Sequence, residues 1–193
     1  MQKNPQQVTA KNVKLNNSKK LNMKKQLFAL LFLPLMAFAP FDWLTMSLDD
    51  RVSVDFPSKP KETEMSGNPV MIADVDKDSR CMSMVMDFKS LGMDSTQLAE
   101  EMKKPESLGQ FKEGILGQIP GSSLISEKRT TTMGYTSFEF VIDMGRNDTS
   151  VLNIMHNRNI FVGSKMYSLS FYEKTGKPQE TNRKRFFNSL KIN

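Results

Sequence analysis

The sequence predicts an α+β domain: an antiparallel β-sheet of about six or seven strands with helices packed against it. Three observations carry that reading. Short apolar–polar alternations recur between residues 52 and 172, the period-2 signature of half-buried strands. Tight turn signals such as Asp76-Lys77-Asp78-Ser79 and Gly163-Ser164 separate them, and strands joined by tight turns pair antiparallel. A helical period replaces the alternation after Asp94 and again after Pro178.

The elements follow in order. Val52, Val54 and Phe56 alternate with Ser53 and Asp55, giving a strand that stops at Pro57. Residues 70–75 and 80–88 read as a hairpin around the Asp76–Ser79 turn. Asp94 or Ser95 can cap a helix in which Leu98 and Met102 share a face. Pro105 interrupts that helix. Leu108, Phe111, Ile115 and Ile119 then continue with helical spacing, although Gly109, Gly114 and Gly117 each cost up to ~1 kcal/mol relative to alanine. Strands return after Pro120-Gly121, first over residues 124–132 and then around Phe138, Phe140 and Ile142. Residues 151–162 and 166–172 form a second hairpin. On its second arm Tyr167, Leu169 and Phe171 face one way, while Ser168 and Ser170 face the other. The segment His156-Asn157-Arg158-Asn159 reads as a polar bulge or an exposed edge. Pro178 suits the first turn of a last helix, which runs to about Asn188 and buries Phe186, Phe187 and Leu190. The middle helices cover one face of the sheet; the last helix covers the same face or the other.

An export signal precedes this domain. The apolar run at residues 26–41 follows Met23-Lys24-Lys25 and ends in Ala37-Phe38-Ala39. A short basic region, an apolar stretch and small residues are the grammar of a secretory signal. The run falls short of the roughly 20 residues a membrane-spanning helix needs, and Pro34 disturbs its centre. The expected organisation is a signal peptide over 23–39, cut after Ala39, and a single domain over 40–193. Pro40 disfavours that cut, so an uncleaved membrane tether or a cut elsewhere nearby is the alternative. Residues 1–22, rich in Lys, Asn and Gln and free of acids, have two readings: an over-long basic region of the signal, or, the favoured one, an untranslated upstream extension with Met23 the true start. The expected location is exported, either periplasmic or secreted.

The charge of the chain is misleading without that division. The net charge is +6, which would suggest a nucleic-acid partner. However, seven of the 27 basic residues lie within residues 1–39, which hold no acid. The domain keeps 20 basic residues against 21 acidic ones, a net of −1, so no nucleic-acid partner is expected. Cys81 is the only cysteine. The domain therefore has no internal disulfide and depends on its core, and Cys81 is too far from the signal to carry a lipoprotein anchor.

Three phrases add a family likeness. Val52-Ser53-Val54-Asp55-Phe56-Pro57, Tyr167-Ser168-Leu169-Ser170-Phe171 and Phe186-Phe187-Asn188-Ser189-Leu190-Lys191-Ile192 resemble the PsbP-like fold family over about residues 48–192. That family includes an extrinsic subunit of photosynthetic water oxidation, a Ran-binding nuclear import factor and many exported bacterial proteins. The resemblance implies an antiparallel sheet sandwiched by helices and a non-enzymatic accessory or binding role. Its motifs mark strands and a closing helix, so it transfers no site residue, and fold alone does not fix function.

The candidate site residues are few. Met82, Met84 and Met86 recur at every second position, so a strand points all three thioethers to one side. Soft sulfur suits copper(I), while core filling is the simpler use of methionine. Asp74, Asp76 and Asp78 open like a calcium loop, but Ser79 and Val85 stand where such a loop needs glycine and glutamate. His156 is the single histidine, where a zinc site usually needs two or three imidazoles. A Cys81–His156 thiol pair is formally available. Arg183, Lys184 and Arg185 form a basic cluster that could dock on an acidic partner or anionic headgroups. Asp94, Glu100 and Glu101 read as a solvated helix face. No catalytic residue and no cofactor are expected.

These readings point to a non-catalytic exported accessory or protein-binding module of the cell envelope. Its partner would be another envelope protein, met through an apolar patch near helix 107–119. The alternative is a binder of a small apolar ligand or lipid held between sheet and helices. Copper binding is a lesser one.

Overall fold

The computed structural model describes residues 42–146, 148 and 151–193. The expected signal peptide and upstream extension lie outside the described residues. Among the described residues the chain forms two antiparallel sheets and three α-helices. The strands are β1 (Leu44–Ser47), β2 (Val52–Phe56), β3 (Lys61–Met65), β4 (Asn68–Asp76), β5 (Ser79–Asp87), β6 (Ser123–Thr132), β7 (Tyr135–Asp143), β8 (Ile154–Val162), β9 (Lys165–Glu173) and β10 (Lys191–Ile192). The helices are α1 (Ser95–Glu101), α2 (Ser107–Gly117) and α3 (Glu180–Asn188). A 3-10 turn over Phe88–Leu91 follows β5. No described helix is long and apolar enough to cross a membrane.

The large sheet has the order β3-β4-β5-β9-β8-β7-β6, and the small one β1-β2-β10. Central strands β8 and β9 are covered on both faces, and most of their side chains are buried, with Ile154, His156 and Arg158 of β8 half-buried on one face. On one face, Cys81, Ile160, Val162, Tyr167, Leu169 and Phe171 pack against Val52, Val54 and Phe56 of β2 and Phe186 of α3. The other face carries Phe138, Phe140, Ile142, Met155, Phe161 and Met166, over which α1 and α2 lie. The last helix thus covers the face opposite the middle helices. The outer strands β3 and β6 carry charges along their length, which discourages further strand addition.

Local chemistry explains the helix ends. Asp94 caps α1, its carboxylate accepting from the Thr96 and Gln97 N–H groups, while the Gln97 side chain accepts from the Asp94 N–H. Asp49 fastens the β1–β2 turn to β9: its carboxylate accepts from the Tyr167 hydroxyl (2.5 Å), the Lys165 ammonium (2.8 Å) and the N–H groups of Arg51 and Val52.

Several expectations need correction. The 156–159 segment is neither a bulge nor an edge. It lies in β8, between β7 and β9, with Asn157 and Asn159 buried, because Ser168 and Ser170 accept from the Asn157 amide and Asn157 accepts from Asn159. Pro178 stands outside α3, whose N-cap is Gln179. Strands β1, β3 and β10 were not foreseen; β3 is exposed throughout and has no apolar alternation to announce it.

Candidate functional site

The site is a groove beneath α2, and it arises from how that helix sits. Phe111 anchors it in a trio of edge-on rings with Phe138 and Phe161, their centroids 5.1–5.4 Å apart. Elsewhere the seat is loose. Leu108, Ile115, Leu116 and the following Ile119 are only half-buried. Gly109, Gly114 and Gly117 have open space where a Cβ would stand. Two adjoining cavities result. One of about 510 Å³ is walled by Met65, Met82, Met84, Met144, Met155 and Ile115. The other, of about 310 Å³, is walled by Met84, Met86, Met166, Phe111 and Gly114. Met84, Ile115 and Gln118 border both.

The floor is polar. Antiparallel pairing sets Asn157 opposite Ser170 and Asn159 opposite Ser168, all four facing α2. The Asn157 amide nitrogen donates to the hydroxyl oxygens of Ser168 and Ser170, both at 2.9 Å, and its carbonyl oxygen accepts from the Asn159 amide at 2.5 Å. Asn157 and Ser170 border the larger cavity and Asn159 the smaller. Apolar walls with a few convergent polar groups are the usual anatomy of a small-molecule site, as are volumes of roughly 300–1,000 Å³.

The structure brings the three β5 methionines to this groove. They do not share one coordination sphere. Met82 opens to the larger cavity, Met86 to the smaller and Met84 to both; at strand rise Met82 and Met86 are about 13 Å apart. The Met82 sulfur also accepts from the Tyr172 hydroxyl at 3.8 Å. Cys81 points to the opposite face and is buried, where desolvation pushes its thiol far above the usual range. Cys81 and His156 flank Phe171 from β5 and β8, two strand spacings or about 10 Å apart, so no thiol–imidazole pair forms.

His156 belongs to a different cluster. Its Nε2 lies 3.0 Å from the Glu173 carboxylate and 2.9 Å from the Arg183 guanidinium, which also pairs with Glu173 at 2.8 Å. The Glu173 carboxylate further accepts from the Gln179 N–H at 2.9 Å. Burial raises the Glu173 pKa, but the bonds from His156 and Gln179 and the Arg183 charge bring it below the ordinary value. The cluster clamps the start of α3, which has no side-chain cap of its own. The basic cluster is correspondingly dispersed: Arg183 is held there, Lys184 pairs with Glu180 at 2.6 Å, and Arg185 lies over the Trp43 ring at 5.0 Å. The candidate calcium carboxylates are equally engaged. Asp74 pairs with Arg80, Asp76 accepts from Asp78 N–H and Ser79, and Asp78 pairs with Lys174 and Lys177. Among the described residues no group of three His, Cys, Asp or Glu side chains is placed to hold a metal.

Sequence reasoning missed Asn157, Asn159, Ser168 and Ser170 as a group. The hairpin could have revealed them. With Gly163-Ser164 as the turn, counting outward sets 159 opposite 168 and 157 opposite 170.

No protein-family model matches the chain, and no curated protein does. The likeness is structural. The solution structure of cyanobacterial PsbP (CyanoP) from Synechocystis sp. PCC 6803 superposes with a TM-score of 0.55 at 12% identity, over 83% of this chain and 99% of that one. The Ran-binding protein Mog1p of Saccharomyces cerevisiae gives a TM-score of 0.45 at 8% identity, over 79% and 96%. The first of these likenesses shows that the chain has a PsbP-like fold.

Proposed function

We propose that this PsbP-like domain is a non-catalytic, exported accessory module of the cell envelope that acts by binding, and that the groove under α2 is its binding surface. The observation that supports this is the incomplete seating of α2. A row of half-buried aliphatic side chains stands over two open, methionine-walled cavities. Methionine walls suit this use, because an unbranched thioether re-packs around guests of different shape. The apolar part of an envelope partner is the first occupant to consider. A small apolar ligand or lipid is the second, and the buried polar floor favours it.

A photo-crosslinking amino acid at exposed Gln110, beside the smaller cavity, tests this in the host envelope. The expected result is a discrete adduct that disappears when Gly114→Phe fills the groove. Identical adducts in both backgrounds would remove the groove from the account.

A further inference from the structure

The floor of the groove restricts what can occupy it. Asn157, Asn159, Ser168 and Ser170 are 6%, 2%, 5% and 1% exposed on a face otherwise built of Met, Phe and Ile. Burying two amides and two hydroxyls is costly unless they are bonded, and apolar replacements of similar shape would serve the fold as well. The bonds inside the network use the Asn157 amide fully. At the cavity they leave the Asn159 carbonyl oxygen as an acceptor and its second amide N–H as a donor.

Depth excludes a broad guest. A folded partner's surface lying across α2 would not reach groups this buried, whereas a slender chain would. Charge narrows the head group. Asn159 borders the smaller cavity, whose lining holds no charged side chain, so an ionised carboxylate on it would be buried unpaired at a prohibitive cost; Arg146 stands at the larger cavity, where it donates to the Leu152 carbonyl. An uncharged head that both donates and accepts, a hydroxyl above all, matches the Asn159 amide. The methionines then line the path of the chain, and Gly114 borders the smaller cavity with open space where a side chain would extend.

We propose that the groove binds an uncharged, single-chain amphipathic lipid, with its hydroxyl head on the Asn159 amide and its acyl chain along the methionine walls. This rests on the reading of the groove as the binding surface.

The test is titration of the full chain with monolauroylglycerol, followed by native mass spectrometry and calorimetry, with laurate at pH 8 as the charged control. The expected result is a one-to-one complex, at least tenfold weaker for laurate and lost in Gly114→Phe. Asn159→Leu should weaken binding of monolauroylglycerol about tenfold and narrow its advantage over laurate. Gly114 sits on an exposed stretch of α2, so that variant keeps the test valid if Asn159→Leu fails to fold. Equal affinity for laurate, or undiminished binding in Gly114→Phe, would overturn the proposal. Absence of binding would overturn it too, and the crosslink from Gln110 then separates the two claims. An adduct still sensitive to Gly114→Phe leaves the groove standing with a different guest, whereas an insensitive one removes both.

Discussion

Asp49 offers a quantitative test of how the two sheets are joined. Its carboxylate is where the β1–β2 turn meets β9, and the buried Tyr167 and half-buried Lys165 both donate to it. Burial alone would raise its pKa. The bonds from Lys165, Tyr167 and the Arg51 and Val52 N–H groups outweigh that and lower it from 3.8 to about 2. A shift of that size is worth about 2 kcal/mol at ~1.4 kcal/mol per pH unit. Because the folded-state pKa is the lower one, this stability is fully present above about pH 4 and is lost as pH falls toward 2. Asp49→Asn keeps the shape and removes the charge. Urea unfolding at pH 7, 5, 4 and 3 should show the variant about 2 kcal/mol weaker at pH 7, a drop of roughly 4–8 °C in Tm for a domain of this size, with the gap closing as the pH drops. Equal stability at pH 7, or curves that stay parallel down to pH 3, would refute the reasoning.

Other outcomes follow from burial. Cys81 is fully buried with its thiol pKa pushed up, so a thiol reagent at pH 8 should leave the folded protein unlabelled and react at once in denaturant; rapid labelling of the native state would contradict its placement. Asn157→Leu strips Asn159, Ser168 and Ser170 of their shared partner and should cost about 2 kcal/mol in denaturant unfolding, since each unsatisfied buried group costs ~1–3 kcal/mol. A neutral result would mean the floor is open to water.

Much of the architecture was legible because its strands alternate. Val52-Ser53-Val54-Asp55-Phe56 became β2, the two hairpins paired as their turns predicted, and the Asp94 cap formed. What escaped was structure without apolar periodicity. β3 is Lys-Glu-Thr-Glu-Met on the sheet edge, held by backbone bonds to β4 alone, and β10 is only two residues long. The floor escaped for a related reason. Pattern reading takes Asn157 and Asn159 as surface because polar groups are rarely buried alone, and only cross-strand register shows that they are not alone. Likewise the methionine alternation was visible, but whether those side chains fill a core or line a cavity depends on how closely α2 packs, which no single segment encodes.

The most direct test of the central claim is a methyl spectrum of the protein labelled with 13C-methyl methionine, titrated with a detergent extract of the host envelope. Met65, Met82, Met84, Met86, Met144, Met155 and Met166 line the groove, while Met46 and Met71 pack on the opposite core. A binding groove under α2 predicts saturable shifts confined to the first set. No shifts, or shifts centred on Met46 and Met71, would place the working surface elsewhere.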